Sequence, residues 1–260
     1  MKANVFMVLA AGLLLGACSN DNEPTDNANG VAAVFTTNLD GRVQTRMADE
    51  EWAEDDAIGI FSLNNEMQGV MIDGVEQSNN AVNLKYTRTP AGTWDGGTTA
   101  FRFKNQTDVT VNFMAYYPYT ADADITDGAG GKKEGTIAFE ATDQSLAGQA
   151  KFDFLFADKD GEGNAPAGSK NSPNVNFQFA HSMTKIIIVL KADGSSVKDL
   201  GTMAPTLKGL KAKGTFSLAN GVAALAGDAK VVDLLLSNQT ETTNTCLLYT
   251  SPSPRDGATS

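Results

Sequence analysis

Val109-Thr-Val-Asn-Phe-Met-Ala-Tyr-Tyr-Pro118 decides the fold class. Val109, Val111, Phe113, Ala115 and Tyr117 alternate with Thr110, Asn112, Met114 and Tyr116. That period of two places successive side chains on opposite faces of a strand. Pro118 has no N–H to donate and stops the ladder. The same reading extends outward along the chain. Val31, Ala33, Phe35, Thr37 and Leu39 share one face, with Ala32, Val34, Thr36 and Asn38 on the other. Residues 57–63, 83–87 and 99–103 read as further strands, as do the segments around Ile137 and Phe139. Phe152, Phe154 and Phe156 line another strand, and Val175, Phe177 and Phe179 one more. Residues 186–190 are apolar on both faces, which predicts a central strand. The joints carry turn chemistry: Asp95-Gly-Gly97, Asp127-Gly-Ala-Gly-Gly131, Asp160-Gly-Glu-Gly-Asn164 and Asn220-Gly221. No segment has a long helical period. Many short strands with Gly-rich joints predict an all-β chain built of β-sandwiches.

The strands before Ser172-Pro173 suffice for one sandwich, so residues 31–172 are expected to form an N-terminal domain. The polar, Gly- and Pro-rich stretch 161–173 marks the boundary. Residues 173–245 then supply a second, truncated sandwich, with a hairpin in which Gly214-Thr-Phe-Ser-Leu218 turns at Asn220-Gly221.

Composition narrows function. Among 260 residues, 20 Lys and Arg face 31 Asp and Glu, a net charge of −11. Nucleic-acid binding needs clustered basic residues and is not expected. One histidine and two cysteines cannot furnish a zinc site or a disulfide framework. Neither an enzyme nor a bound cofactor or metal is expected.

The ends carry their own signals. Lys2 precedes an apolar run of about eleven residues, too short for a membrane span but suited to a signal peptide over residues 1–17. Leu15-Gly-Ala-Cys18 resembles the lipobox of bacterial lipoproteins, in which the cysteine becomes lipidated. Residues 18–30 are polar and read as a tether. At the other end, Cys246-Leu-Leu-Tyr-Thr-Ser-Pro-Ser-Pro-Arg-Asp256 resembles the translation of a transposase adapter used in DNA library preparation. Residues 246–260 are therefore expected to be an artefact outside the fold, and the frame to be truncated.

A family resemblance rests on motifs in a fixed order. They are Thr45-Arg46, Trp52-Ala-Glu-Asp-Asp-Ala-Ile-Gly-Ile-Phe61 and Phe113-Met-Ala-Tyr-Tyr-Pro-Tyr119. Asp143-Gln-Ser145 and Phe152-Asp-Phe-Leu-Phe-Ala157 follow, then Phe177-Gln-Phe-Ala-His-Ser-Met-Thr-Lys-Ile186 and Gly214-Thr-Phe-Ser-Leu218. Over most of residues 1–225 the chain resembles the fimbrillin-like, or Mfa-like, lipoproteins that build type V pili of anaerobic gram-negative bacteria. The resemblance implies two tandem transthyretin-like β-sandwich domains, delivered by the lipoprotein export machinery to the outer membrane and the cell surface. It also implies an arginine-specific protease that removes the lipidated leader with its first strand. A donor strand from another pilin subunit then fills the groove. On this chain the lipid site is Cys18 and the cleavage site Arg46, with Arg42 second. The removable strand carries Val31, Ala33, Phe35, Thr37 and Leu39. The alternative is a surface lipoprotein adhesin that binds glycan or host protein without polymerising.

The remaining candidates have plain structural readings. His181 and Ser182 are strand neighbours facing opposite ways, so they cannot form a nucleophile–base pair. Asp158-Lys-Asp-Gly-Glu162 lacks the full spacing of a calcium loop, and Asp122, Asp124 and Asp127 resemble it less. Asp49, Glu50, Glu51, Glu54, Asp55 and Asp56 surround Trp52, which is expected to plug one end of the sandwich. Tyr116, Tyr117 and Tyr119 could stack on a sugar, but strand core is the simpler role.

Overall fold

The computed structural model describes residues 30–39, 52–63, 70–72, 75–76, 83–104, 108–121, 124–127, 133–192, 200, 204–239 and 243–250. In chain order the first strands are β1 (Val31–Ala32), β2 (Val34–Leu39), β3 (Ala57–Ser62), β4 (Val70–Ile72), β5 (Val75–Glu76) and β6 (Leu84–Arg88). Then come β7 (Trp94–Asp95), β8 (Arg102–Phe103), β9 (Val111–Tyr117), β10 (Asp124–Asp127), β11 (Lys133–Glu140), β12 (Leu155–Ala157) and β13 (Ala167–Gly168). The last are β14 (Asn174–His181), β15 (Thr184–Lys191), β16 (Thr206–Ser217), β17 (Ala223–Asp233), β18 (Leu235–Gln239) and β19 (Thr243–Thr250). Among the described residues a 3-10 turn, Gly97–Thr99, and a four-residue helix, Leu146–Gln149, interrupt them.

The largest sheet runs β2-β14-β12-β9-β3-β6-β7, with β13 added on β9. Its middle strands are buried on both faces, and their alternation sorts side chains into two cores. Ile58, Ile60, Val111, Phe113, Ala115, Leu155 and Ala157 enter the first core with Val175, Phe177 and Phe179 of β14. Phe61, Met114, Tyr116, Phe154 and Phe156 enter the second. A sheet of order β1-β8-β4-β5 borders the first core through Phe103, whose pairing partner Val31 is also buried. The second core is closed by the sheet β10-β11-β16-β17, which contributes Phe139 and Phe216. There the rings of Phe154 and Phe216 stack 4.5 Å apart, 2° from parallel.

Close packing at the middle of the large sheet demands glycine at position 59. A Cβ there would lie 2.1 Å from Tyr116 Cε1 and 2.6 Å from Asn83 Oδ1. At the expected hairpin, β16 does turn into β17 through Asn220-Gly221. Gly221 has φ +69°, and a Cβ would meet the Phe156 ring at 2.4 Å. The tight turn and the second core are thereby built together.

One expectation changes. Residues 186–190 do not form a central strand. β15 is an edge of the sheet β15-β19-β18, with Ile186 38% and Val189 52% exposed. An apolar run without alternation says that both faces are apolar, not that both are covered. Strand pairing runs across the stretch 161–173. β14 follows it and still belongs to the large sheet, pairing with β2 and β12. β11 lies before it and pairs with β16 after it. β19 pairs antiparallel with β15 from Thr184↔Thr250 to Lys191↔Thr243.

Candidate functional site: a groove filled by the first strand

Residues 31–39 pass from one sheet to another without a loop. β1 pairs antiparallel with β8, at Val31↔Phe103 and Ala32↔Arg102. Ala33 then donates its N–H to Phe101 O at 2.9 Å, and Val34 to Pro173 O at 2.9 Å. From there β2 runs parallel to β14 through six pairs, Asn174↔Val34 to Phe179↔Leu39. One short segment thus completes the edges of two sheets and closes the first core between them.

The face that carries Val31, Ala33, Phe35, Thr37 and Leu39 points inward. Phe35 is 3% exposed and Val31 7%, while Ala33 and Leu39 pack partly against the core. Val34, on the other face, is 45% exposed. Phe35 sits in an aromatic box. Tyr86 meets it edge-on at 5.0 Å, Phe113 at 5.3 Å and Phe101 at 6.1 Å, and Phe177 stacks on it at 5.6 Å. Such pairs add about 0.5–1.5 kcal/mol each to ordinary burial. Two polar contacts fix the strand lengthwise. Arg102 donates from Nε and Nη2 to Gly30 O at 3.2 and 2.9 Å. Trp94 donates from Nε1 to Thr37 Oγ1 at 3.0 Å. On the outer face the Thr36 hydroxyl bonds the Asn176 side chain.

One end of this core is plugged by Trp52, as expected. Its ring meets Trp94 at 5.1 Å, Phe179 at 5.2 Å and Tyr117 at 5.5 Å, all edge-on. Asp56 ties the plug down: Oδ2 accepts from Ala53 N at 2.7 Å, and Oδ1 accepts from Tyr117 Oη at 3.0 Å. Glu54 and Asp55 are exposed. Asp49, Glu50 and Glu51 lie outside the described residues, as do Cys18, Arg42, Arg46 and Asp122.

The other candidates take structural places. His181 Nδ1 lies 3.1 Å from Asp153 Oδ1, and the side chains are 15% and 8% exposed. Its partner is a carboxylate; the neighbouring Ser182 is buried, with its N–H on Phe154 O at 2.8 Å. Asp160 Oδ1 accepts from Glu162 N and Asn164 N, each at 2.9 Å, so it organises its own turn. Asp124 and Asp127 are the end residues of β10. The three tyrosines are not one platform. Tyr116 is fully buried in the second core, Tyr117 leans on the first, and Tyr119 lies under Lys85, whose Nζ is 5.9 Å from the ring centre. Burial pushes the Tyr116 hydroxyl up to about 12.

The sequence reading missed the Trp94–Thr37 bond, the Arg102 clamp and the parallel pairing with β14. Their partners are separated by 57 residues or more, and no local pattern reports on them.

A sandwich whose first strand completes two sheets at once defines an all-β, strand-completed module. Residues 45–258 match the family model described as fimbrillin-like, and the chain belongs to that family. The matched range includes most of the residues set aside as adapter. A Bacteroides uniformis protein named "Putative fimbrium subunit Fim1C" is 30% identical over 266 residues, spanning 98% of this chain and 74% of that protein. Among solved structures, a "putative cell adhesion protein" of Bacteroides uniformis superposes with a TM-score of 0.60 at 21% identity, covering 89% of this chain and 77% of the other. One from Bacteroides ovatus gives a TM-score of 0.51 at 23% identity, covering 84% and 77%. Among the described residues no helix is long and apolar enough to cross a membrane.

Proposed function

We propose that this protein is a structural or accessory subunit of a cell-surface fimbria, exported as an outer-membrane lipoprotein and assembled by donor-strand insertion. The observation that carries this reading is the first strand itself. It fills a groove between two sheets, buries one apolar face, and precedes the arginines at 42 and 46 in the chain. Family membership and the similarity to a fimbrium subunit support the same role. Its partners are then other pilin subunits, and its work is structural rather than catalytic. Cleavage after Arg46 would release Cys18 through Arg46, baring the first core and the ladder groups of β14 and β8. A groove of that kind is refilled by strand addition from another chain.

Treatment of the purified chain with an arginine-specific protease is expected to give a product beginning at Met47. N-terminal sequencing checks this; a product beginning at Val43 would move the site to Arg42. A protein resistant at both positions would leave the surface-adhesin alternative. The lipid anchor has its own test. A fatty-acid probe is expected to label cells expressing the wild type and not Cys18→Ala; equal labelling would remove the lipoprotein step.

The foreign origin of residues 246–260 rests on the eleven-residue string 246–256 and its two prolines. Against it stand β19 and the extent of the family match. Sequencing the locus from an intact genomic clone is expected to diverge from Cys246 onward. Agreement through Ser260 would make β19 authentic.

A further inference from the structure

We infer that the groove selects its strand by side-chain chemistry at two fixed positions: a large aromatic residue where Phe35 stands, and a hydroxyl residue two places on, where Thr37 stands. The inference rests on the strand-exchange reading above and adds what the incoming strand must contain. The occupant is an extended segment of another chain with alternating apolar residues and an aromatic-x-(Thr or Ser) centre.

The resident strand shows which contacts can discriminate. Arg102 holds Gly30 O, Phe101 O holds Ala33 N, and Pro173 O holds Val34 N. All three read backbone, so any extended segment satisfies them. Val34, Thr36 and Asn38 are exposed, and substitutions there leave the core untouched. Two positions differ. The box around Phe35 has four aromatic walls in a core where Phe101, Phe113 and Phe177 are 0% exposed and Tyr86 1%. A small side chain there leaves a void that rigid, interlocked rings cannot close. Trp94 is 8% exposed, and its Nε1–H ends on Thr37 Oγ1 at 3.0 Å. A branched apolar residue at position 37 fits the volume but strands that N–H in the core. Indole is a donor only, so the strand must supply the acceptor.

The spacing completes the code. Positions 35 and 37 share a face, one strand period apart, with Val31, Ala33 and Leu39 on the same side. Alternation alone is common among strands. Alternation with an aromatic residue and a hydroxyl in that order is not, so the groove can reject apolar strands that would otherwise fill it.

The test uses the full chain nicked by an arginine-specific protease and fluorescent synthetic peptides of residues 30–39, read by anisotropy in competition. The unaltered peptide is expected to enter the groove. A Phe35→Ala peptide should bind roughly 100-fold more weakly or worse, and a Thr37→Val peptide about tenfold more weakly. A Thr37→Ser peptide should bind like the original. In nicked Trp94→Phe protein the Thr and Val peptides should bind alike, because the donor is gone. Equal binding of all peptides to the unsubstituted protein would overturn the selectivity while leaving strand acceptance intact. Failure of even the unaltered peptide to bind would overturn acceptance itself, and the selectivity with it.

Discussion

Phe35→Ala is expected to destabilise the intact chain by about 3–5 kcal/mol, the range for deleting a buried Phe side chain. Phe35 is 3% exposed and touches four rings, three of them from the large sheet (Tyr86, Phe113 and Phe177) and the fourth, Phe101, from the residue just before β8. The cavity would open where those rings meet, and stacked aromatics collapse poorly. Val34→Ala is the matched control. Val34 is the next residue on the same strand, 45% exposed, and its truncation should cost less than about 0.5 kcal/mol. Urea unfolding followed by far-ultraviolet circular dichroism measures both. Equal midpoints for the two variants would mean that the first strand is not part of the cooperative unit. The same contrast bears on assembly, because a strand worth this much leaves behind a surface that water does not satisfy.

The second large effect is alkaline unfolding. Burial is the main cause that pushes the Tyr86 hydroxyl well above its ordinary range, and the Tyr116 hydroxyl up to about 12. Each also keeps a hydrogen-bond partner. Tyr86 Oη accepts from Phe101 N at 2.7 Å. Tyr116 Oη donates to Asn83 Oδ1 at 2.7 Å and accepts from Thr120 N at 3.2 Å. Both pKa values are raised on folding, so the folded state holds protons that the unfolded chain releases near pH 10. Their stabilising contribution is complete below about pH 10 and is lost as pH climbs from 10 toward 12. In that window each tyrosine lowers stability by about 1.4 kcal/mol per pH unit. Tyr117 moves the same way, through burial first and then the charge of Asp56. Cooperative unfolding within that window is expected, with tyrosinate absorbance appearing together with loss of the strand signal. Tyr86→Phe, which has no hydroxyl to ionise, should make the alkaline fall less steep. Tyrosinate formation near pH 10 with the fold intact would refute the claim.

Much of this protein is written in its local pattern. Strict alternation in Val111, Phe113, Ala115 and Tyr117 against Met114 and Tyr116 requires a strand, and the strand is there as β9. Which of 31–39 face inward follows from the same period, because a strand has only two faces and one of them is apolar. The role of Asn220-Gly221 is equally local, since the required φ is available to glycine at no steric cost. Alternation does not say what covers a face. By alternation Met114 and Tyr116 read only as the face opposite Phe113 and Ala115, and they are the floor of a second core. Residues 186–190 read as buried on both sides, yet Val189 is half exposed at a sheet edge. Those outcomes depend on which other strands arrive, through contacts tens to hundreds of residues apart. The groove belongs to the same class. Phe35, Thr37, Trp94, Arg102 and Phe177 become one site only when β2 lies parallel on β14 and β1 lies on β8. The sequence by itself determined the strands, their inward faces and the turns that separate them, because each is set by two or three neighbouring residues. The tertiary structure alone decided the partners, the two cores and the strand-filled groove, because those are set by long-range pairing that no short segment encodes.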